Sequence, residues 1–216
     1  MAVTSSIQAV MFDFGGVFTA SPFVAIETYA LAQGVDPLEL RDVIFGSYDG
    51  DTDHPWHQCE RGELAMAEAF TQIAAAATEM GMRFDAGELF SGMADDQFDR
   101  KIVVDVVRGV RARGLRTAVV TNNIREYGTT WRQMIPVDEL FDAIIDSCEL
   151  GIRKPNPLIY EIALERLGVD EPSQAVFLDD FEGNVIAARN LGVHGILVAP
   201  DPRPALDELH ELLDRR

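Results

Sequence analysis

Five short apolar runs punctuate this chain at residues 7–12, 117–120, 143–145, 175–178 and 196–198. Each is unbroken rather than alternating, so each strand it forms must be covered on both faces, as in a parallel sheet flanked by helices. Helical spacing separates the later runs, over 102–113, 124–134, 157–167 and 183–191, and an amphipathic helix over 206–213 closes the chain. Strand–helix alternation of this kind predicts an α/β fold with a parallel sheet between two helical layers.

One stretch breaks the alternation. Residues 24–33 and 37–45 have helical spacing, and Asp36-Pro37 supplies a cap and a first-turn proline. The polar segment 50–59 (GDTDHPWHQC) reads as a loop. Alanine-rich 63–80 reads as a helix stopped by Gly81, and a weaker helix follows over 87–93. The expected organisation is therefore a core of residues 1–21 and 96–216, with a small helical insert of residues 22–95 placed after the first strand and over the sheet. A chain of 216 residues is long enough for one such core with an insert.

Composition excludes several classes. Asp and Glu number 36 against 18 Lys and Arg, a formal net charge of −18. So acidic a surface repels nucleic-acid backbones and anionic lipid head groups, so neither nucleic acid nor membrane is an expected partner. A small phosphorylated substrate is still admissible, because a metal ion and a lysine can reverse the potential inside one cleft. The two cysteines, Cys59 and Cys148, are expected to be reduced and buried. The first residues, MAVTSSIQAVMFDF, lack a basic leader and a long apolar run, and no stretch approaches membrane-spanning length. The expected location is cytoplasmic.

In an open parallel sheet, ligands sit outside the carboxyl ends of the strands. The first strand delivers Asp13 there, the second Thr121 and Asn122, the stretch after the third Lys154, and the fourth Asp179 and Asp180. Each has an ordinary alternative, the aspartates and Thr121-Asn122 as helix caps and Lys154 as a solvated loop residue. Asp179-Asp180 fits that alternative poorly, since adjacent carboxylates at an apolar strand end repel each other unless a cation is near. Four separate coincidences at one sheet edge are needed where one site suffices.

The ordered set DFGGV (13–17), Thr121-Asn122, Lys154-Pro155 and Asp179-Asp180 resembles the four signature motifs of haloacid dehalogenase-like hydrolases. GIRKPNPLIYEIAL and VFLDDFEGNVIAARNLG are most similar to a capped subgroup. It holds the phosphatase domain at the amino end of soluble epoxide hydrolase and bacterial sugar-phosphate phosphatases. The resemblance covers essentially the whole chain apart from the insert's own sequence, and it implies a Rossmann-like core and a helical cap. It also implies a Mg²⁺-dependent phosphatase acting on a small phosphorylated metabolite through an aspartyl-phosphate. Asp13 would be the nucleophile. Thr121 and the Asn122 N–H would hold phosphoryl oxygens, and Lys154 would neutralise charge. The metal would be held by Asp13, the Gly15 carbonyl and Asp180, with Asp179 acting from behind them.

Gly15 departs from the family pattern. Most phosphatases of the superfamily carry a second aspartate there, as general acid for the leaving group, and losing that role costs about 10²–10⁴ in rate. Cap residues His54, Trp56 and His57 are candidates for contacting substrate, with a histidine as donor. The alternative is a surface loop pinned by Trp56. Two other classes stay open: a 2-haloacid dehalogenase, which needs no metal, or another hydrolase of the same fold, and a binding module with weakened catalysis.

Overall fold

The computed structural model describes residues 6–91, 100–128 and 130–214. Five strands, β1 (Ala9–Phe12), β2 (Arg116–Thr121), β3 (Ala143–Asp146), β4 (Ala175–Asp179) and β5 (His194–Leu197), form one sheet. Its order is β3-β2-β1-β4-β5 and every pair is parallel. The chain moves outward from β1 through β2 to β3, then returns to the other side of β1 for β4 and β5. That reversal puts a topological switch point at the carboxyl end of β1, where such sheets bind ligands.

Alternate residues of each strand feed different cores, as a period of two requires. Val10, Phe12, Val119, Val176 and Leu178 pack with Val103, Val107, Trp131, Leu206 and Leu209 on one face. Ala9, Met11, Ala118, Val120 and Phe177 pack with Ile159, Tyr160, Ala163, Leu164 and Ala188 on the other. Both faces are covered, which explains why the strands contain no polar alternation.

Between β1 and β2 the chain forms α1 (Pro22–Gln33), α2 (Pro37–Phe45), α3 (Pro55–Glu60), α4 (Met66–Glu79), α5 (Ala86–Ser91) and α6 (Lys101–Ala112). The first five share an apolar core of their own, including Ile26, Ile44, Phe45, Trp56 and Ile73. Then follow α7 (Val137–Leu140), α8 (Ser147–Leu150), α9 (Pro157–Leu167), α10 (Glu182–Leu191) and α11 (Arg203–Asp214). The helix expected over 87–93 begins at Ala86 and is seen to Ser91, and its last residues lie outside the described ones, as does the expected insert boundary at 95. No helix among the described residues is long and apolar enough to cross a membrane. Both cysteines are buried and free.

Two expectations are corrected. The segment 50–59 is not loop throughout: α3 starts at Pro55, because His54 caps it by accepting the Trp56 N–H on Nδ1 and proline fits the first turn. No continuous helix forms over 124–134. Ile124 is buried in the insert's core and Trp131 in the sheet's core, so the segment must turn between them. Gly128 takes a positive φ of 37°, and only residues 131–133 form a 3₁₀ turn. Glu126 meanwhile accepts the Met66 N–H and so caps α4 from outside.

Candidate active site

The expected residues converge at the carboxyl ends of β1, β2 and β4. Asp13 follows β1, its N–H donating to the Leu178 carbonyl at 2.8 Å. Its Oδ1 accepts the Phe14 N–H at 2.6 Å, and its Oδ2 lies 2.8 Å from the Lys154 ammonium. Lys154 is fully buried, and its Nζ also donates to Asp179 Oδ2 at 2.7 Å and to the Val120 carbonyl at 2.9 Å. An ammonium has three protons, so these three acceptors fix it completely.

Asn122 holds the lysine's backbone. Its Oδ1 accepts the Lys154 N–H at 2.8 Å and its Nδ2 donates to the Lys154 carbonyl at 3.1 Å. Thr121, buried at the end of β2, lines the same cavity. Asp179 is wholly buried, with Oδ1 accepting the Phe181 N–H at 2.8 Å and both oxygens accepting from Asn184 Nδ2 at 3.1 Å. Asn184 lies in the first turn of α10. The structure makes it a partner of the acidic loop.

Ligand oxygens of Asp13, Asp179 and Asp180 all lie within 4.8 Å of one another. Three carboxylates facing one ammonium carry uncompensated charge. Burial, opposed by Lys154 and reinforced by Asp179 and Asp180, holds the Asp13 carboxyl well above the usual range. Burial and then Asp179 push Asp180 up to about 7, with the Ser21 hydroxyl working against the rise. Asp180 Oδ2 is buried and has no hydrogen-bond partner. An orphaned carboxylate oxygen within a triad of hard oxygen donors fits a divalent cation such as Mg²⁺. Gly16 makes the arrangement possible: at φ 69°, a Cβ on it would lie 2.1 Å from the Asp180 carboxyl.

Over this edge opens a cavity of about 530 Å³. Apart from Glu60 on the insert side, its charged groups gather at the sheet, while Phe23, Phe45, Tyr48, Trp56 and Phe90 from the insert and Trp131 from the core form largely apolar walls. Trp56 is thus at the cavity, as expected of a substrate contact. His54 and His57 are not among its lining residues. His54 Nε2 is 3.2 Å from the Val43 carbonyl. His57 is fully buried, its Nδ1 accepting the Thr52 N–H at 3.1 Å, and burial, then Arg153, pull its pKa down to about 3. The two histidines expected to contact substrate thus lie outside the cavity lining, with both ring nitrogens of His54 engaged by backbone and His57 held by Thr52 at Nδ1. Tyr48, Glu60 and Arg153 were missed because no local pattern marks a residue that acts through a distant partner.

The sequence model of the family described as haloacid dehalogenase-like hydrolase matches residues 7–192. The chain belongs to this family. Several known proteins also align along most of its length. Acyl-CoA dehydrogenase family member 10 of Mus musculus is 31% identical over 96% of this chain and 19% of its own length. Bifunctional epoxide hydrolase 2 of the same organism is 29% identical over 96% of the chain and 39% of its own. The chain thus spans only a minor part of these relatives. Sesquiterpene phosphatase astK of Aspergillus oryzae is 26% identical over 89% of the chain and 90% of its own length. Among solved structures, a family enzyme of Bacteroides thetaiotaomicron in complex with magnesium and inorganic phosphate superposes with a TM-score of 0.59. It is 19% identical, over 90% of this chain and 96% of its own. An L-2-haloacid dehalogenase superposes at 0.64, 18% identical over 95% and 99%. Both share the fold, and the family membership makes the chain a hydrolase.

Proposed function

We propose that the chain is a Mg²⁺-dependent phosphatase that works through an aspartyl-phosphate on Asp13, with residues 22–95 as its cap. Its substrate is a small phosphate ester or acyl phosphate whose organic part is apolar. The observation that carries this reading is the triad of Asp13, Asp179 and Asp180 around Lys154, with one buried carboxylate oxygen left unpartnered. A metal-free dehalogenase has no use for that concentration of negative charge. A 2-haloacid is moreover a carboxylate, and the only cationic side chain among the described lining residues is Lys154, already shared by two aspartates. The sesquiterpene phosphatase and the magnesium–phosphate complex point the same way.

Mg²⁺ held by Asp13, the Gly15 carbonyl and Asp180 would supply positive charge against the phosphoryl oxygens. Asp13 attacks phosphorus, forming the acyl phosphate as the bond to the leaving oxygen breaks and that oxygen keeps the electron pair. Thr121 and the Asn122 N–H hold the phosphoryl oxygens, and Lys154 offsets charge on the group in transit. Water then attacks phosphorus, releasing inorganic phosphate and restoring the Asp13 carboxylate.

A Cβ on Gly15 would meet nothing within 4 Å, so the space where most relatives keep a proton donor is open. With both histidines turned away, this reading favours leaving groups that depart unprotonated. The test is phosphate release from a panel of aryl, acyl, terpenyl and sugar phosphates with Mg²⁺. Turnover is expected for apolar members of the panel and loss of it in excess chelator. Full activity in chelator, or release of halide from a 2-haloacid instead, would overturn the reading.

A further inference from the structure

Two buried charges outside the triad have no part in the chemistry above. Arg153 is fully buried and Glu60, at the end of α3, is 2% exposed. Arg153 Nε donates to Glu60 Oε2 at 2.7 Å, and its Nη1 donates to the Gly50 carbonyl at 2.8 Å. The other oxygen of Glu60 accepts from the Tyr48 hydroxyl and from Trp56 Nε1, the latter at 2.8 Å. The guanidinium also lies over the Tyr48 ring, 4.6 Å from its centroid. From the core, Ser147 Oγ donates to the Glu60 carbonyl at 2.6 Å.

A buried ion pair is costly to assemble unless its hydrogen bonds are satisfied, and here the partners are distributed meaningfully. Arg153 belongs to the core and immediately precedes Lys154, whereas Glu60, Gly50, Tyr48 and Trp56 belong to the insert. Tyr48 and Trp56 are two of the aromatic walls of the cavity. One carboxylate thus fixes both rings, and one guanidinium fixes that carboxylate to the loop carrying the lysine.

We propose that Arg153 and Glu60 form a latch that closes the insert over the sheet and sets Tyr48 and Trp56 as the wall for the substrate's organic group. They are positioning residues for substrate selection, and the selection part rests on the phosphatase reading. Residues that hold the wall act on binding of a large apolar group, whereas both large and small substrates need Asp13 and Lys154 equally.

The experiment compares wild type with Arg153→Met, Glu60→Leu and the double variant on acetyl phosphate and octanoyl phosphate, whose carboxylate leaving groups have similar basicity. The kcat/KM ratio, octanoyl over acetyl, is expected to fall tenfold or more in each variant, through KM for the octanoyl compound. Trp56 emission, read with Trp131 replaced by Phe in every protein compared, shifts to the blue in Glu60→Leu as its indole loses an anionic acceptor. The double variant recovers melting temperature relative to the singles, because no unpaired charge is left buried, but not the ratio. Equal losses on both substrates, a wild-type ratio in the double variant, or unchanged tryptophan emission would overturn the latch. Should the single variants fail to fold, Arg153→Lys and Glu60→Gln carry the same comparison, with at least a threefold fall expected and an unchanged ratio contradicting it. Wild-type protein that releases no phosphate from any substrate contradicts the phosphatase reading instead, and the emission and melting data still decide for or against the latch.

Discussion

Lys154 and Asp13 meet at 2.8 Å beneath the cavity, and the same ammonium reaches Asp179 at 2.7 Å, so one cation links the end of β1 to the end of β4. Burial pulls the lysine toward neutrality, but Asp13 and Asp179 together outweigh it, and it stays charged. Lys154→Met should therefore lower kcat by about 10²–10³, the loss seen when one preorganised donor is removed. It should also cost several kcal/mol of stability, since two buried carboxylates lose their partner. Steady-state kinetics with a chemical melt checks both, and wild-type turnover in folded Lys154→Met would contradict the role.

On the proposed reading, Mg²⁺ should raise the melting temperature by mass action, because only the folded chain brings the three carboxylates together. Asp180→Asn should cancel the rise. Asp179→Ala should weaken it and also destabilise the protein, because it strands Lys154 and removes both acceptors of Asn184. Thermal melts with and without the ion decide, and an undiminished Mg²⁺ shift in Asp180→Asn would remove that residue from the site.

The two glycines after Asp13 should respond oppositely. Gly16→Ala drives a methyl into Asp180 and should abolish both the Mg²⁺ shift and turnover. Gly15→Asp enters open space and should speed alkyl phosphates by up to about 10²-fold, a general-acid gain. Aryl phosphates should gain little, which is measured as a shallower dependence of rate on leaving-group pKa. A slope equally shallow in wild type would reveal a native donor.

His57 carries a pH signature. Its pKa lies near 3 in the folded chain, held there by burial and Arg153, and near 6.5 when unfolded. Below about pH 6.5 the unfolded chain binds a proton that the folded one refuses. Stability is thus complete above that pH and lost progressively toward about pH 3. His57→Gln should flatten this part of the melting-temperature profile, and parallel profiles for the two proteins would contradict the assignment.

The sheet and the polar cluster at its edge were legible because both rest on short-range signals: unbroken apolar runs, and polar residues placed at their ends. The parallel direction of the strands followed from their alternation with helices, whereas their order in the sheet is set by long-range packing. What escaped reading depends on partners far along the chain. Nothing local shows that Glu60 must meet Arg153, or that Glu126 caps α4. His54 and His57 sit in a polar, aromatic stretch that looks like a substrate loop, yet Val43 engages His54 at Nε2, Thr52 engages His57 at Nδ1, and neither ring lines the cavity. The 124–134 segment has helical composition and is overruled by two cores that pull Ile124 and Trp131 apart.

The central claim is that phosphorus is transferred to Asp13. Rapid acid quenching of the protein with an acyl phosphate and Mg²⁺, followed by mass spectrometry of its peptides, tests it most directly. The expected result is a phosphoryl adduct on the peptide containing Asp13, formed and lost at rates that account for kcat and absent from Asp13→Asn. A phosphoryl group on another residue, or phosphate release by Asp13→Asn at the wild-type rate, would contradict it.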